Sequence, residues 1–293
     1  MSRLLSVVGY ISPSERTHIK GHMGKSVQWM MKNTILGTAL ASELDARGDV
    51  QPYTVSSLYQ INTVRPLQGT LLPSQIAWFR VTGIGGTPLG DRVIDALDQW
   101  RSHPPSDLEL DRMSWILRAI FTTPDQHPWA SEISYGDLQD RFRQRTRLHS
   151  LSFRFISPTT FHSESLHVPL PVPALLYRKL ADGWGKLTPI PLDEHLPLFA
   201  QQFLEIESCQ MNTHSILVKN EPFVGFTGSA SFHLTRVNEG LERRQPDVYH
   251  DIQRKRDSLE QWLALLAEFA FYCGVGAKSA SGMGMAAAQA KWV

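Results

Sequence analysis

The chain has 293 residues, 42% of them hydrophobic and 19% charged, with a formal net charge of +1. That composition excludes a disordered chain, and the length suits one large or two ordinary domains at roughly 100–200 residues each. Near-neutrality also excludes a uniform polycation, so a nucleic-acid partner must meet a local basic patch. The two cysteines, Cys209 and Cys273, match no ligand spacing and read as reduced, buried thiols of a cytoplasmic protein. The opening MSRLLSVVGYI has a short apolar run with no small-residue cleavage site, so it predicts a strand and not a signal peptide. No uninterrupted apolar run approaches the roughly 18–20 residues of a membrane span.

In chain order, LLSVVGYI (4–11) is a β-branched strand stopped by Pro13. From Ser26 the period changes: Val27, Met31, Ile35 and Ala39 recur every four residues and predict one amphipathic helix closed by Gly48. PYTVSSLY (52–59) and AWFRVTGI (77–84) read as strands, PLGDRVIDALDQWR (88–101) as a helix opened by Pro88, and MSWILRAIFTT (113–123) as a strand. The second half repeats the pattern. LHSLSFRFISPTTF (148–161) is strand-like and PVPALLYRKLADGW (171–184) is a proline-led helix. EIESCQMNTHSILV (205–218) and FVGFTGSASFHLT (223–235) supply strands. DSLEQWLALLAEFAFYC (257–273) is the strongest helix, with Ser258 and Gln261 fitting a capping box, and MAAAQAKWV closes as a strand.

Two β-α-β-β-α-β units in tandem predict an α+β chain of two ferredoxin-like domains, the scaffold of RNA-recognition modules, over 1–140 and 147–293. The last helix and strand are separated by GVGAKSASGMG (274–284), in which Gly274, Gly276, Gly282 and Gly284 surround Lys278 and Ser279. Glycine permits unusual backbone angles and close approach, and a lysine among free N–H groups suggests an anion. A Walker loop is excluded because Ala277 precedes Lys278 and the loop follows a helix. The dinucleotide fingerprint is excluded too, because Ser279 occupies its third glycine position.

A GxGxxxxxGxG loop with a central lysine, between the last helix and last strand of such a chain, resembles the CRISPR-associated endoribonucleases that process precursor CRISPR RNA, within the repeat-associated mysterious protein superfamily. FRFISPTTFH (153–162), LPVPALLYRKLADGW (170–184), FVGFTGSASF (223–232) and LASELDARGDVQPYTVSSL (40–58) are similar to further stretches of that family, in the same order. The resemblance implies a metal-independent, repeat-specific endoribonuclease without cofactor. In that chemistry the 2′-hydroxyl attacks the scissile phosphate and leaves 2′,3′-cyclic phosphate and 5′-hydroxyl ends. It implies precursor CRISPR repeat RNA as partner, and CRISPR effector subunits as further partners.

Many members of the family carry a histidine at the end of the first helix, where this chain reads Leu44-Asp45. The expected catalytic residues therefore lie upstream: His22 and His18 for proton transfer and Lys25 for the phosphorane charge, with Lys32 a further cation. For RNA binding the glycine loop is joined by a stripe of Arg141, Arg143, Arg145 and Arg147, which alternate as on one strand face, and by Arg178 in the proline-led helix. RRQPDVYHDIQRKR (243–256) is a second basic cluster or a solvated loop. Two other readings stay open at this point: an inactive homologue that holds guide RNA in an effector complex, and a nucleotide-binding enzyme using the glycine loop.

Overall fold

The computed structural model describes residues 3–19, 21–46, 48, 50–164, 166–218 and 221–293. Its first half builds a seven-stranded sheet around β1 (Arg3–Pro13), β2 (Tyr53–Val55), β3 (Ala77–Ile84) and β4 (Met113–Phe121), in the order β2-β3-β1-β4. Every neighbour is antiparallel, with Val7 opposite Val81 and Tyr10 opposite Ala119. The second half builds a four-stranded sheet from β5 (Leu148–Thr159), β6 (Leu204–Val218), β7 (Glu221–Leu234) and β8 (Ala286–Trp292), in the order β6-β7-β5-β8. Both orders are the ferredoxin-like 2-3-1-4, and the repeated pattern of the sequence is the pattern of the fold.

The helices of the first half are α1 (Gly24–Met30), a π-helical turn (Met31–Leu36), α2 (Gly37–Ala46) and α3 (Pro88–Ser102). Alternation on β1 and β3 sends Leu5, Val7, Ile11, Phe79 and Val81 to one face, where Val93, Leu97 and Trp100 of α3 cover them. Thr87 caps α3 by accepting the Gly90 N–H, and Pro88 opens it. The second half adds α4 (Pro173–Leu187), α5 (Leu196–Phe203) and α6 (Arg256–Cys273), whose Leu259, Leu263, Leu266 and Ala270 lie in its core with Trp184 and Phe232.

The C-terminal turn of α6 also reaches the first sheet's other face. Its Tyr272 carbonyl accepts hydrogen bonds from Thr82 Oγ1 (2.8 Å) and Thr54 Oγ1 (3.3 Å), and the Tyr272 hydroxyl meets Ser131 Oγ at 2.8 Å. Beside it Trp129 and Phe271 stack with centroids 5.3 Å apart, and the buried Arg80 guanidinium lies 5.4 and 5.1 Å from their centroids.

Four local expectations are corrected. The first helix is not continuous: a π-turn and the break at Gly37 (φ 76°, ψ 159°) return the chain so that Asp45 pairs with Lys32. The capping box at Ser258 is absent because α6 already starts at Arg256. Arg141–Arg147 form turns and a link ahead of Leu148, so they share no strand face. Cys209 is exposed, whereas Cys273 is half-buried, and both are free.

The segment 243–256 is helical, over Glu239–Arg244 and Pro246–Arg254 and into α6. Several of its cations are paired: Arg254 with Asp251, Lys255 with Asp193 and Asp251, and Arg256 with Glu260. Glu260 is 0% exposed and accepts from Arg256 Nε (2.8 Å), Arg236 Nη1 (3.0 Å) and the Leu148 N–H (2.7 Å), fastening α6 to the first residue of β5. Removing a buried ion leaves its partners uncompensated. Glu260→Ala is therefore expected to lose about 3–5 kcal/mol of stability, read from denaturant unfolding.

Candidate nucleic-acid interface

The glycine loop folds back on itself. Gly274, Gly276, Gly282 and Gly284 are all buried with φ between 69° and 92°. A Cβ on Gly284 would lie 2.0 Å from the Val275 carbonyl oxygen, and one on Gly276 would lie 2.3 Å from that of Thr160. The Ser-Pro-Thr-Thr segment that ends β5 cradles the loop: the Pro158 carbonyl accepts the Gly284 N–H (3.0 Å) and the Thr160 carbonyl accepts the Ala277 N–H (2.8 Å). The glycines thus serve close packing more than open phosphate contact. What the loop offers to solvent is its apex. Lys278 is exposed, and the N–H groups of Lys278, Ser279 and Ala280 have no hydrogen bond among the described residues. Successive free N–H groups beside a cation are an anion-binding arrangement.

Gly282 packs against the start of α1. A Cβ there would sit 2.7 Å from Gly24 Cα, and one on Gly24 would sit 2.2 Å from the Ser281 carbonyl oxygen. His22 seals this junction. Its Nδ1 accepts the Gly24 N–H at 3.3 Å, so its Nε2–H donates to the Gly282 carbonyl at 3.2 Å. Burial lowers its pKa, against a smaller opposing effect of the Gly282 hydrogen bond. His22 is a neutral imidazole with both nitrogens occupied by backbone.

A polar network continues from the junction. Gln28 Oε1 accepts from Lys25 Nζ (2.5 Å) and Ser281 Oγ (3.2 Å), and Gln28 Nε2 donates to the Tyr53 hydroxyl (3.2 Å). Burial pushes the Tyr53 phenol up to about 12, with Asp45 adding to the shift. Asp45, 61% exposed at its side chain, pairs with Lys32. His18 is exposed on the short ribbon of Thr17–Ile19 and Gly69–Leu71, with Nδ1 3.1 Å from Thr70 Oγ1. Arg143 pairs with Asp140, and the Arg143 and Arg145 carbonyls both accept from Gln261. Arg178 is exposed on α4. The structure therefore joins His22, Lys25, Ser279–Gly282 and, through Gln28, Tyr53, while the arginines belong to other surfaces.

A cleft of about 2200 Å³ separates the two sheets. One wall carries Tyr10, Trp78 and His127; the other carries Arg154, Gln210 and Asn212; Gly21 and His22 also line it. Sequence reading missed this aromatic wall, because its members come from three separate segments with no shared motif. His127 lies 4.8 Å from the Trp78 ring and 6.1 Å from that of Phe121, and burial pulls its pKa down to about 4. Among the described residues no His, Cys, Asp or Glu group of three is placed to hold a metal, and no helix is long and apolar enough to cross a membrane.

These features define a tandem ferredoxin-like protein whose C-terminal glycine loop closes on its first helix. The family model for the CRISPR-associated endoribonuclease Cas6 matches residues 153–286. Among solved structures the chain is similar to a Cas6 product complex, at 23% identity over 99% of this chain and 100% of that one, with a TM-score of 0.72. It is similar to Thermus thermophilus Cas6 at 22% identity, 99% of each chain and a TM-score of 0.69. The product of a Cas6-related gene from Pyrococcus furiosus matches at 10% identity, 99% and 98% coverage and a TM-score of 0.54. No curated protein sequence matches the chain. The family match covers most of the second half of the chain, and the likeness to the solved structures shows a shared fold over nearly its whole length.

The depressed His127 pKa sets a pH dependence. Above pH 6.5 both folded and unfolded states hold this imidazole neutral. Between about 6.5 and about 4 only the unfolded state takes up the proton, so acidification destabilises the fold, and below about 4 the loss levels off. His22 acts in the same direction. The stability lost between pH 7 and pH 4.5 is expected to be smaller in His127→Phe by on the order of 2 kcal/mol, measured by urea unfolding at each pH.

Proposed function

We propose that this protein cuts precursor CRISPR repeat RNA to produce guide RNA, with the scissile phosphate at the junction of α1 and the glycine loop. The match of residues 153–286 to the Cas6 family model supports the substrate class, since that model describes CRISPR-associated endoribonucleases. The observation that carries the placement is the exposed loop apex, with three free N–H groups and Lys278, tied through Ser281 and Gln28 to Lys25.

In the proposed reaction the 2′-hydroxyl loses its proton and attacks the adjacent phosphorus. The 5′-oxygen then leaves with a proton, giving 2′,3′-cyclic phosphate and 5′-hydroxyl ends. Lys25 and the apex N–H groups stabilise the extra charge of the phosphorane. His22, neutral and held at both nitrogens, positions the loop instead of moving the proton. The Asp45 carboxylate beside Lys32 and the His18 imidazole both have solvent access for proton exchange. The cleft between the sheets, aromatic on one wall and polar on the other, gives the flanking RNA a path.

The test is single-turnover cleavage of a labelled repeat RNA in EDTA, with end-group analysis. Wild type should leave a cyclic-phosphate end. Lys25→Ala should slow cleavage at least tenfold with an unchanged melting temperature, as loss of a transition-state charge contact does. His22→Ala should lower rate and melting temperature together. Tight binding without any cleavage by wild type would overturn the enzymatic reading.

A further inference from the structure

Trp29 stands apart from the other tryptophans of the chain. It is 46% exposed, and it is the one aromatic among the large hydrophobic residues exposed in the described structure. The other tryptophans are buried or half-buried. Helix α1 turns Val27 and Met30 into the core, which leaves Trp29 on the outer side with Lys25 one turn before it. Lys32 follows three residues later, inside the π-turn. The backbone there is held by hydrogen bonds: Asn33 Nδ2 donates to the Trp29 carbonyl at 2.8 Å, and the side chain of the adjacent Gln28 bonds the glycine loop and Tyr53.

We propose that Trp29 stacks on one unpaired base of the bound RNA, next to the nucleotide whose phosphate meets Lys25 and the loop apex. This rests on the functional reading above. An indole face is a sequence-tolerant platform for a base, and Lys25 one turn before it suits a phosphate beside that base. A single aromatic framed by charges is far smaller than the roughly 1,000 Å² that a specific protein interface needs, which favours RNA over a protein partner. Trp29 is then a positioning residue: by fixing a base it fixes the ribose and phosphate beside it, where small displacements are costly to rate.

The test uses full-length protein and a repeat RNA carrying a 2′-deoxy block at the cleavage position, with a series of single abasic substitutions. Trp29→Ala should bind the intact RNA on the order of 10- to 100-fold more weakly at an unchanged melting temperature, and Trp29→Phe should recover most of the loss. One abasic position should weaken wild type comparably and add nothing in Trp29→Ala. Undiminished binding by Trp29→Ala, or abasic losses that all add independently to it, overturns the stacking assignment alone. Failure of wild type to bind repeat RNA overturns the functional reading, and this inference with it.

Discussion

The fold depends on how the end of α6 is pressed against the open face of the first sheet. The Tyr272 carbonyl, in the last turn of the helix, has lost intrahelical donors that a continuing helix would supply, and Thr54 and Thr82 provide donors from β2 and β3. Arg80 sits beside this contact with its Nε and Nη1 lacking a hydrogen-bond partner among the described residues, and burial lowers its pKa to about 10. The faces of Trp129 and Phe271 compensate part of that desolvation. Once α6 is fixed there, the residues that follow it must emerge beside α1. This docking contact helps deliver the glycine loop of the second half to the first half.

What arrives is a loop that only glycine can build. Each of the four glycines combines a left-handed φ with a neighbour closer than a Cβ allows. Gly282 and Gly24 meet back to back, and His22 closes the joint through two backbone hydrogen bonds. Protonating His22 would cost it the acceptor role toward Gly24. The lowered pKa and the packing therefore express one fact: the joint needs a neutral imidazole.

The repeated β-α-β-β-α-β order was legible because apolar periodicity reports which face of an element is covered, and both sheets are covered on one face by helices. The Gly37 break was not legible. Leu36, Leu40 and Leu44 keep a four-residue spacing straight through it, and a glycine inside a helix costs only about 1 kcal/mol, too little to mark a stop. The arginine stripe failed for a related reason: alternation over seven residues fits a strand, but Tyr135–Asp140 is helical and the chain needs turns to leave it before β5. The part of His22 was out of reach altogether, since its acceptor lies 260 residues away. Glycine spacing could announce a close approach, but not whether a phosphate or the protein's own backbone makes it.

The amide of Gln28 shows how the glycine loop and the first half are linked in this arrangement. Its oxygen takes Lys25 Nζ and Ser281 Oγ, while its nitrogen serves the Tyr53 hydroxyl, so one neutral group links the cation, the loop and the first sheet. A carboxylate in its place would hold Lys25 as an ion pair and add a negative charge beside the loop. It would also have no N–H for Tyr53, whose buried phenol stays protonated but could then only donate. The amide orients the ammonium through a neutral acceptor. A single side chain thus connects the loop to the cation.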